Sequence, residues 1–369
     1  MQTQAEARRY HRWQLCLMLV SCLVVAGYLT ALLATGVSVA LCDWLLATTA
    51  RWWIALPLAL GILGLPYRLL SLPLAWVSGF WLPRRYGLLH QPFRRWLLDV
   101  AKASAIGAVL ALAASLTVYG LLRSTPWWWL YAALAFLAGY ALLAWITPVW
   151  LVPLFYRLVP LADVDLRDRL LRVAARAGVP VLGVWVADQS RKGRAANAAV
   201  VGLGRTRRIV LFDTLIRDFS PAEVEAVLAH ELAHQVHGDI GRGLLVQGAF
   251  TLFTLWVADW CLRAGAAWLG FSGPADLAGL PLLGLVLFAV GLVILPFGNA
   301  WSRRVERQAD DFAVRTAGDP AAFITAMDRL ANLNLADRDP PFVEELLFYS
   351  HPSVARRVAR AQAFLRSPG

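Results

Sequence analysis

Two of the six histidines in this 369-residue chain, His230 and His234, stand four residues apart in the stretch VLAHELAHQV, with Glu231 between them. Side chains at i and i+4 of a helix stack on one face, so the two imidazoles can converge on a single cation. Glu231 is turned by about 100° from His230, which puts its carboxylate beside the ion without obliging it to bind. Two neutral nitrogen ligands, an open position for water and an adjacent base are what a hydrolytic zinc requires.

A tetrahedral catalytic site needs one more protein ligand. The pattern HExxHxxGxxH would place glycine at 237 and histidine at 240, but the chain has His237 and Ile240 there. The alternative is an acid on a later helix. NAWSRRVERQADDFAV supplies Glu306, with Asp310 one turn further on. At that spacing one carboxylate can bind the ion while the other accepts a hydrogen bond from a liganding histidine. One zinc ion per chain on His230, His234 and Glu306 is the expectation, with Asp310 orienting a ligand. His237 and Asp239 fit helix-end or ligand-supporting roles. Cys16, Cys22, Cys42 and Cys261 lie in or beside apolar segments without metal-site spacing and read as free thiols.

The elements around the motif are legible too. Ser220, Pro221 and Glu223 form a capping box with proline at the first helical position, so a helix should run from there to about His237 and stop at Gly238. Upstream, LRDRLLRVAARAGV has helical spacing and VLGVWVADQ alternates like a strand. NAAVVGLGRTRRIVLFD reads as two strands joined at Gly202 and Gly204; it lacks the form of a phosphate loop.

This polar block sits in a chain that is 59% hydrophobic and 16% charged, with mean hydropathy +0.57, a composition of integral membrane proteins. Six stretches reach the roughly 20 apolar residues that span a bilayer: about 14–36, 52–82, 103–122, 127–151, 244–262 and 277–300. The second carries Arg68, Pro57, Pro66 and Pro73 and should be kinked or split, and 37–50 could add a seventh element. The net charge of +11 is nearly all arginine, placed between apolar runs rather than interleaved with aromatics on one face, which argues against nucleic acid. Arginines cluster before the first span, after the second, between the fourth and fifth, and after the sixth. By the positive-inside rule both termini and the metal motif are cytoplasmic. The expected fold is mainly α: a polytopic membrane protein with a small zincin-like α+β catalytic region on the cytoplasmic side. Its parts are an N-terminal membrane region (1–155), a catalytic region (156–243), two further spans (244–300) and a tail with the third ligand (301–369).

From about Arg84 onward the chain resembles the M48 metallopeptidases, and within them the CaaX prenyl protease (Ste24-like) branch more than the HtpX-like one. The likeness rests on RRYGLLHQPFRRWLLDVAK, NAAVVGLGRTRRIVLFDTLI, HELAH, SRRVERQAD and FYSHPSVARRV in this order. It implies zinc on His230, His234 and Glu306, Glu231 as general base, and Asp310 as an orienting group. It further implies that the strand Asn197, Ala198, Ala199 and Val200 pairs with an extended substrate, and that His351 and Arg357 stabilise the oxyanion or hold a substrate carbonyl or carboxylate. The expected function is a membrane-embedded zinc endopeptidase acting on membrane-associated or CaaX-like peptides, lipidated ones among them, near the cytoplasmic face. HtpX-like quality control of misfolded membrane proteins is the alternative, and a metal-binding transporter or scaffold a more distant one. The excess of arginine over lysine points to a bacterial inner membrane.

Overall fold

The computed structural model describes residues 4–202 and 204–366. Among the described residues, six helices are long and apolar enough to cross a bilayer: Gln4–Ala34, Trp52–Arg85, Phe93–Ser124, Trp128–Phe155, Asp239–Leu269 and Leu277–Ala317. We label the helices used below α1 (Gln4–Ala34), α2 (Val37–Thr49), α3 (Trp52–Trp76), α4 (Phe93–Ser124), α5 (Trp128–Ile146), α6 (Val164–Arg176), α7 (Pro221–Val236), α8 (Asp239–Leu269), α9 (Leu280–Ala317), α10 (Pro320–Leu333), α11 (Phe342–Phe348) and α12 (Val354–Arg366).

The proline-rich second span does not split. α3 holds Pro57, Pro66 and Pro73 and continues through a π-helical turn, Val77–Trp81, to Arg85. The wider turn makes room where a proline cannot donate to the preceding turn. α5 is extended in the same way by Thr147–Leu151, which contains Pro148. The short apolar α2 has 13 residues, too few for the hydrocarbon core. The ring of Tyr10 in α1 lies 5.1 Å from that of Tyr86, just past the extension of α3. Those two ends therefore lie together, and α2 turns the chain around at the opposite end, where Cys42 and Leu45 are buried among membrane helices.

The polar region between α5 and α8 forms, among the described residues, a four-stranded sheet in the order β1 (Leu158–Pro160), β2 (Val184–Ala187), β4 (Arg208–Phe212), β3 (Ala198–Val201). β2 and β4 are parallel and the outer pairs antiparallel, so β3 is an edge. Alternate residues of β4, Ile209 and Leu211, join Leu170 of α6, Leu228 and Leu232 of α7 and Phe323 of α10 in one fully buried core. α9 ties this core to the bilayer. At 1.5 Å per residue its 38 residues extend about 57 Å, roughly twice the hydrocarbon thickness. The sixth apolar stretch and the Glu306 segment are thus one continuous helix, longer than the hydropathy boundary at Ala300 implied.

The chain entering β3 is clamped to the membrane half. His90 N and Gln91 N donate to Lys192 O, and Arg194 N donates to Leu88 O. Gly193 sits between them, and a Cβ there would fall 2.2 Å from Leu88 O. That overlap is with backbone and cannot be relieved by a rotamer change. Gly193→Ala should cost about 1–3 kcal/mol, read as a lower melting temperature in detergent and faster proteolysis of the 86–96 and 188–198 loops.

Candidate active site

α7 begins as its capping box dictates: Ser220 N donates to Glu223 Oε2 (2.7 Å), and Glu223 N to Ser220 Oγ (3.4 Å). It ends at His237 and Gly238, whose φ of 66° is a conformation glycine adopts without strain. The turn sends the chain straight into α8, so Asp239 stands opposite the last turn of α7. The buried α7 packs its histidine face against α9, which presents Glu306 and Asp310.

Each histidine is gripped by an acid at Nδ1. His230 Nδ1 lies 3.0 Å from Asp310 Oδ1, and His234 Nδ1 lies 2.9 Å from Asp239 Oδ2. A proton held at Nδ1 by a carboxylate leaves the Nε2 lone pair directed inward. Both Nε2 atoms face the same acid: His230 Nε2 is 3.2 Å from Glu306 Oε2 and His234 Nε2 is 3.7 Å from Glu306 Oε1. One ligand atom from each of these three residues lies within 4.8 Å of the others. Glu306 Oε2 is buried and accepts no hydrogen bond among the described residues. Two imidazole lone pairs facing a buried carboxylate repel one another unless a cation sits among them. The donor set, two nitrogens and one carboxylate oxygen, suits zinc.

The supporting acids are themselves fixed. Arg357 donates from Nε to Asp310 Oδ2 (2.9 Å) and from Nη2 to Asp310 Oδ1 (2.6 Å), and Arg242 Nη1 donates to Asp239 Oδ1 (2.9 Å). Beside the triad opens a cleft of about 370 Å³ lined by Asn197, Val227, Glu231, Met327, His351 and Arg357, among others. Burial raises the Glu231 carboxyl above its ordinary range, against the opposing pull of His230 and His234. His351 comes from the far end of the chain: its Nε2 lies 3.3 Å from Glu306 Oε1 and its Nδ1 2.9 Å from Ser350 Oγ.

The edge strand borders the same cleft. Phe212 N donates to Asn197 O, and alternate residues of an antiparallel ladder face the partner. The amide groups of Asn197 and Ala199 therefore turn to β4, and those of Ala198 and Val200 turn outward. Ala198 N donates to Asn197 Oδ1 (2.9 Å), and Gln235 Nε2 donates to Val200 O (3.2 Å). Ala198 C=O and Val200 N–H make up the rest of that edge.

The structure thus brings to one cleft His230, Glu231, His234, Glu306, Asp310, His351, Arg357 and the strand from Asn197 to Val200, with Asp239 behind His234. His237 instead caps α7 and packs edge-on against Phe312. The sequence reading missed Arg242, Gln235, Asn299 and Arg303. Arg242 follows Asp239 at i+3, a detectable spacing, whereas the others act on carbonyl or amide partners distant in sequence.

The model for peptidase family M48 matches residues 160–365. The chain belongs to that family. A second model, described as the CAAX prenyl protease N-terminal region of five membrane helices, matches residues 2–157, where the structure has four long apolar helices and the short α2. An uncharacterized metalloprotease of Bacillus subtilis, YhfN, is 30% identical over 342 residues, 91% of this chain and 80% of that one. CAAX prenyl protease 1 of Saccharomyces cerevisiae is 28% identical over 319 residues, 81% of this chain and 70% of that one. A crystal structure of Ste24p from S. mikatae covers 97% of this chain and 88% of its own with a TM-score of 0.84 at 23% identity, a likeness of fold. This M48 chain is a membrane metalloprotease of the CAAX prenyl protease type, in a family whose metal is zinc.

Burial opposes a charge on His230, but the nearby carboxylates of Asp310 and Glu306 outweigh that and raise its pKa to about 9. Metal and proton compete for the same Nε2, and a ligand must be neutral to bind. A raised pKa means the proton wins more often as pH falls. Zinc affinity of the chelator-stripped protein should therefore drop by about tenfold per unit below pH 9, measured against a competing chromogenic chelator. An affinity flat between pH 6 and 8.5 would contradict this account of His230.

Proposed function

We propose that this M48 protein is a zinc endopeptidase that hydrolyses membrane-associated, CaaX-like peptides, lipidated ones among them, near the cytoplasmic face of a bacterial inner membrane. One zinc per chain would be held by His230, His234 and Glu306, with Asp310 and Asp239 orienting the histidines. The ion supplies Lewis-acid polarisation of water and of the scissile carbonyl.

The protein's own side chains do the rest. Glu231, with its carboxyl raised by burial, accepts the proton of the attacking water and returns it to the departing amine nitrogen. The C–O bond forms first, giving the oxyanion; the C–N bond then breaks as the amine is protonated, and the proton left on the new acid passes to the amine, leaving a carboxylate and an ammonium group. His351 is set to donate to the carbonyl oxygen as charge develops on it, and Arg357 to hold Asp310 while its charge faces the same cleft. Ala198 C=O and Val200 N–H would pair with the substrate backbone, which aligns an extended chain without reading its side chains. The arginine-rich connections lie at the end of the molecule that carries the site, which supports the cytoplasmic assignment.

The observation that carries this reading is Glu231 lining the cleft beside two imidazoles whose outer nitrogens are already engaged. A metal site with a purely structural role has no use for a carboxylate there. Glu231→Gln should retain one zinc per chain by elemental analysis and lose turnover by about a thousandfold or more. Retained turnover would remove Glu231 from the chemistry. For the substrate class, a farnesylated peptide in detergent micelles should be cleaved faster than its unmodified counterpart. Equal rates, together with cleavage of an unfolded membrane protein, would favour a quality-control protease.

A further inference from the structure

His351 has no regular element of its own. It sits in the turn between α11 and α12, and more than half of its side chain is exposed. What fixes it lies upstream in the same turn. Arg303, on α9 one turn before Glu306, is buried at 7% exposure and directs Nη1 at the C-terminal carbonyls of α11 and the residue after it. The distances are 2.8 Å to Glu345 O, 2.6 Å to Tyr349 O and 3.3 Å to Leu346 O. Two short bonds use both Nη1 hydrogens, and the third carbonyl shares one of them. Asn299, one turn earlier on the same face and also buried, donates to Leu347 O (2.7 Å).

Most carbonyls that end a helix lack intrahelical donors, and a cation is favoured there by the helix dipole; Glu345 O also accepts from Tyr349 N (3.3 Å), while Arg303 supplies the further bonds. For a seven-residue helix such as α11, ordinary capping by solvent would be sufficient. Here a buried guanidinium does it instead, rooted three residues from Glu306. The separation between Glu306 and His351, 3.3 Å at its shortest, is thus referred to α9 through Arg303 and Asn299, while Tyr349 Oη is also within 2.9 Å of His11 Nε2 on α1. On the far side of the turn, Ser353 N donates to Glu345 Oε1 (3.4 Å), so both flanks of the histidine are referred to α11.

We infer that Arg303 is a positioning residue: by holding the carbonyls of Glu345 and Tyr349 it fixes His351 at the distance from Glu306 where its ring meets the developing oxyanion. The inference rests on the role given to His351 above. Arg303 touches neither metal nor substrate, so its loss should be felt only through His351.

A double-mutant cycle in the zinc-loaded full-length protein tests this. Arg303→Met should keep one zinc per chain, lower kcat by about tenfold or more with KM little changed, and weaken binding of a phosphonamidate peptide, measured by calorimetry, by the same factor. Arg303→Lys should recover part of both. Once His351 is replaced by alanine, Arg303→Met should cost nothing further. Losses that multiply in the double variant, or wild-type turnover in Arg303→Met, would overturn the inference. So would full activity of His351→Ala, while an inactive Glu231→Gln leaves the hydrolytic reading standing. If Arg303→Met fails to fold or to load zinc, the same cycle run with Arg303→Lys and with Asn299→Ala decides: an effect that persists without His351 rejects the positioning role.

Discussion

Everything at this site is organised by one electrostatic constraint: once both imidazoles are neutral, the Glu306 carboxylate shares a buried space with two Nε2 lone pairs. Asp310 and Asp239 create that constraint by holding the outer nitrogens at 3.0 Å and 2.9 Å. Without those two acids either ring could turn or switch tautomer and donate to Glu306, and the site would collapse into ordinary hydrogen bonds. With them, the three candidate ligand atoms are satisfied by a metal cation or by a proton taken up on Nε2. The supporting acids are what favour a cation site over an ordinary polar core.

Those acids need supports in turn, and the chain draws them from two helices. Arg357 of α12 braces Asp310 through two bonds, and Arg242 of α8 braces Asp239. A buried carboxylate facing a histidine would be costly alone; one facing both a histidine and a guanidinium is compensated on each side. Asn299, Arg303, Glu306 and Asp310 recur at spacings of four, three and four along α9, so one stripe of a single helix serves the α11 turn, the metal and the histidine-orienting acid. Rigid spacing along a helix is what lets a site assembled from residues as far apart as His230 and Arg357 (127 positions) hold the roughly 0.5 Å tolerance a functional site needs.

Much of this was legible before any coordinates, for identifiable reasons. The histidine pair, the glutamate between them and the capping box are local patterns whose geometry follows from 3.6 residues per turn, and the six spans follow from apolar length. Glu306 and Asp310 were readable because they repeat the helical spacing opposite a motif that lacked a ligand. The length of α9 was not, because hydropathy falls at Ala300 where the helix leaves the lipid, while its hydrogen bonds continue unbroken. β1 is three residues long and pairs only by register with β2, below the length at which alternation can be seen. His351 and Arg357 carried no local signal and came through resemblance alone. Arg303 carried none either, since its partners are main-chain carbonyls and no side-chain pattern records them.

The mounting of the site explains why the membrane half cannot be regarded as a mere anchor. α8 and α9 rise directly out of the apolar bundle and carry Asp239, Glu306 and Asp310 at their polar ends, so two of the three elements that shape the metal site are membrane helices. The third, α7, is held against them by the soluble core and by the single-glycine turn at Gly238. The chain entering β3 is likewise clamped to the loop that follows the second span, through Lys192 O, Leu88 O and the ion pair of Lys192 with Asp99 on α4 (2.8 Å). Any movement of α4 against α9 would shift the edge strand relative to the metal ligands. Packing among the membrane helices thereby sets how far the edge strand lies from Glu231 and from the three candidate ligands.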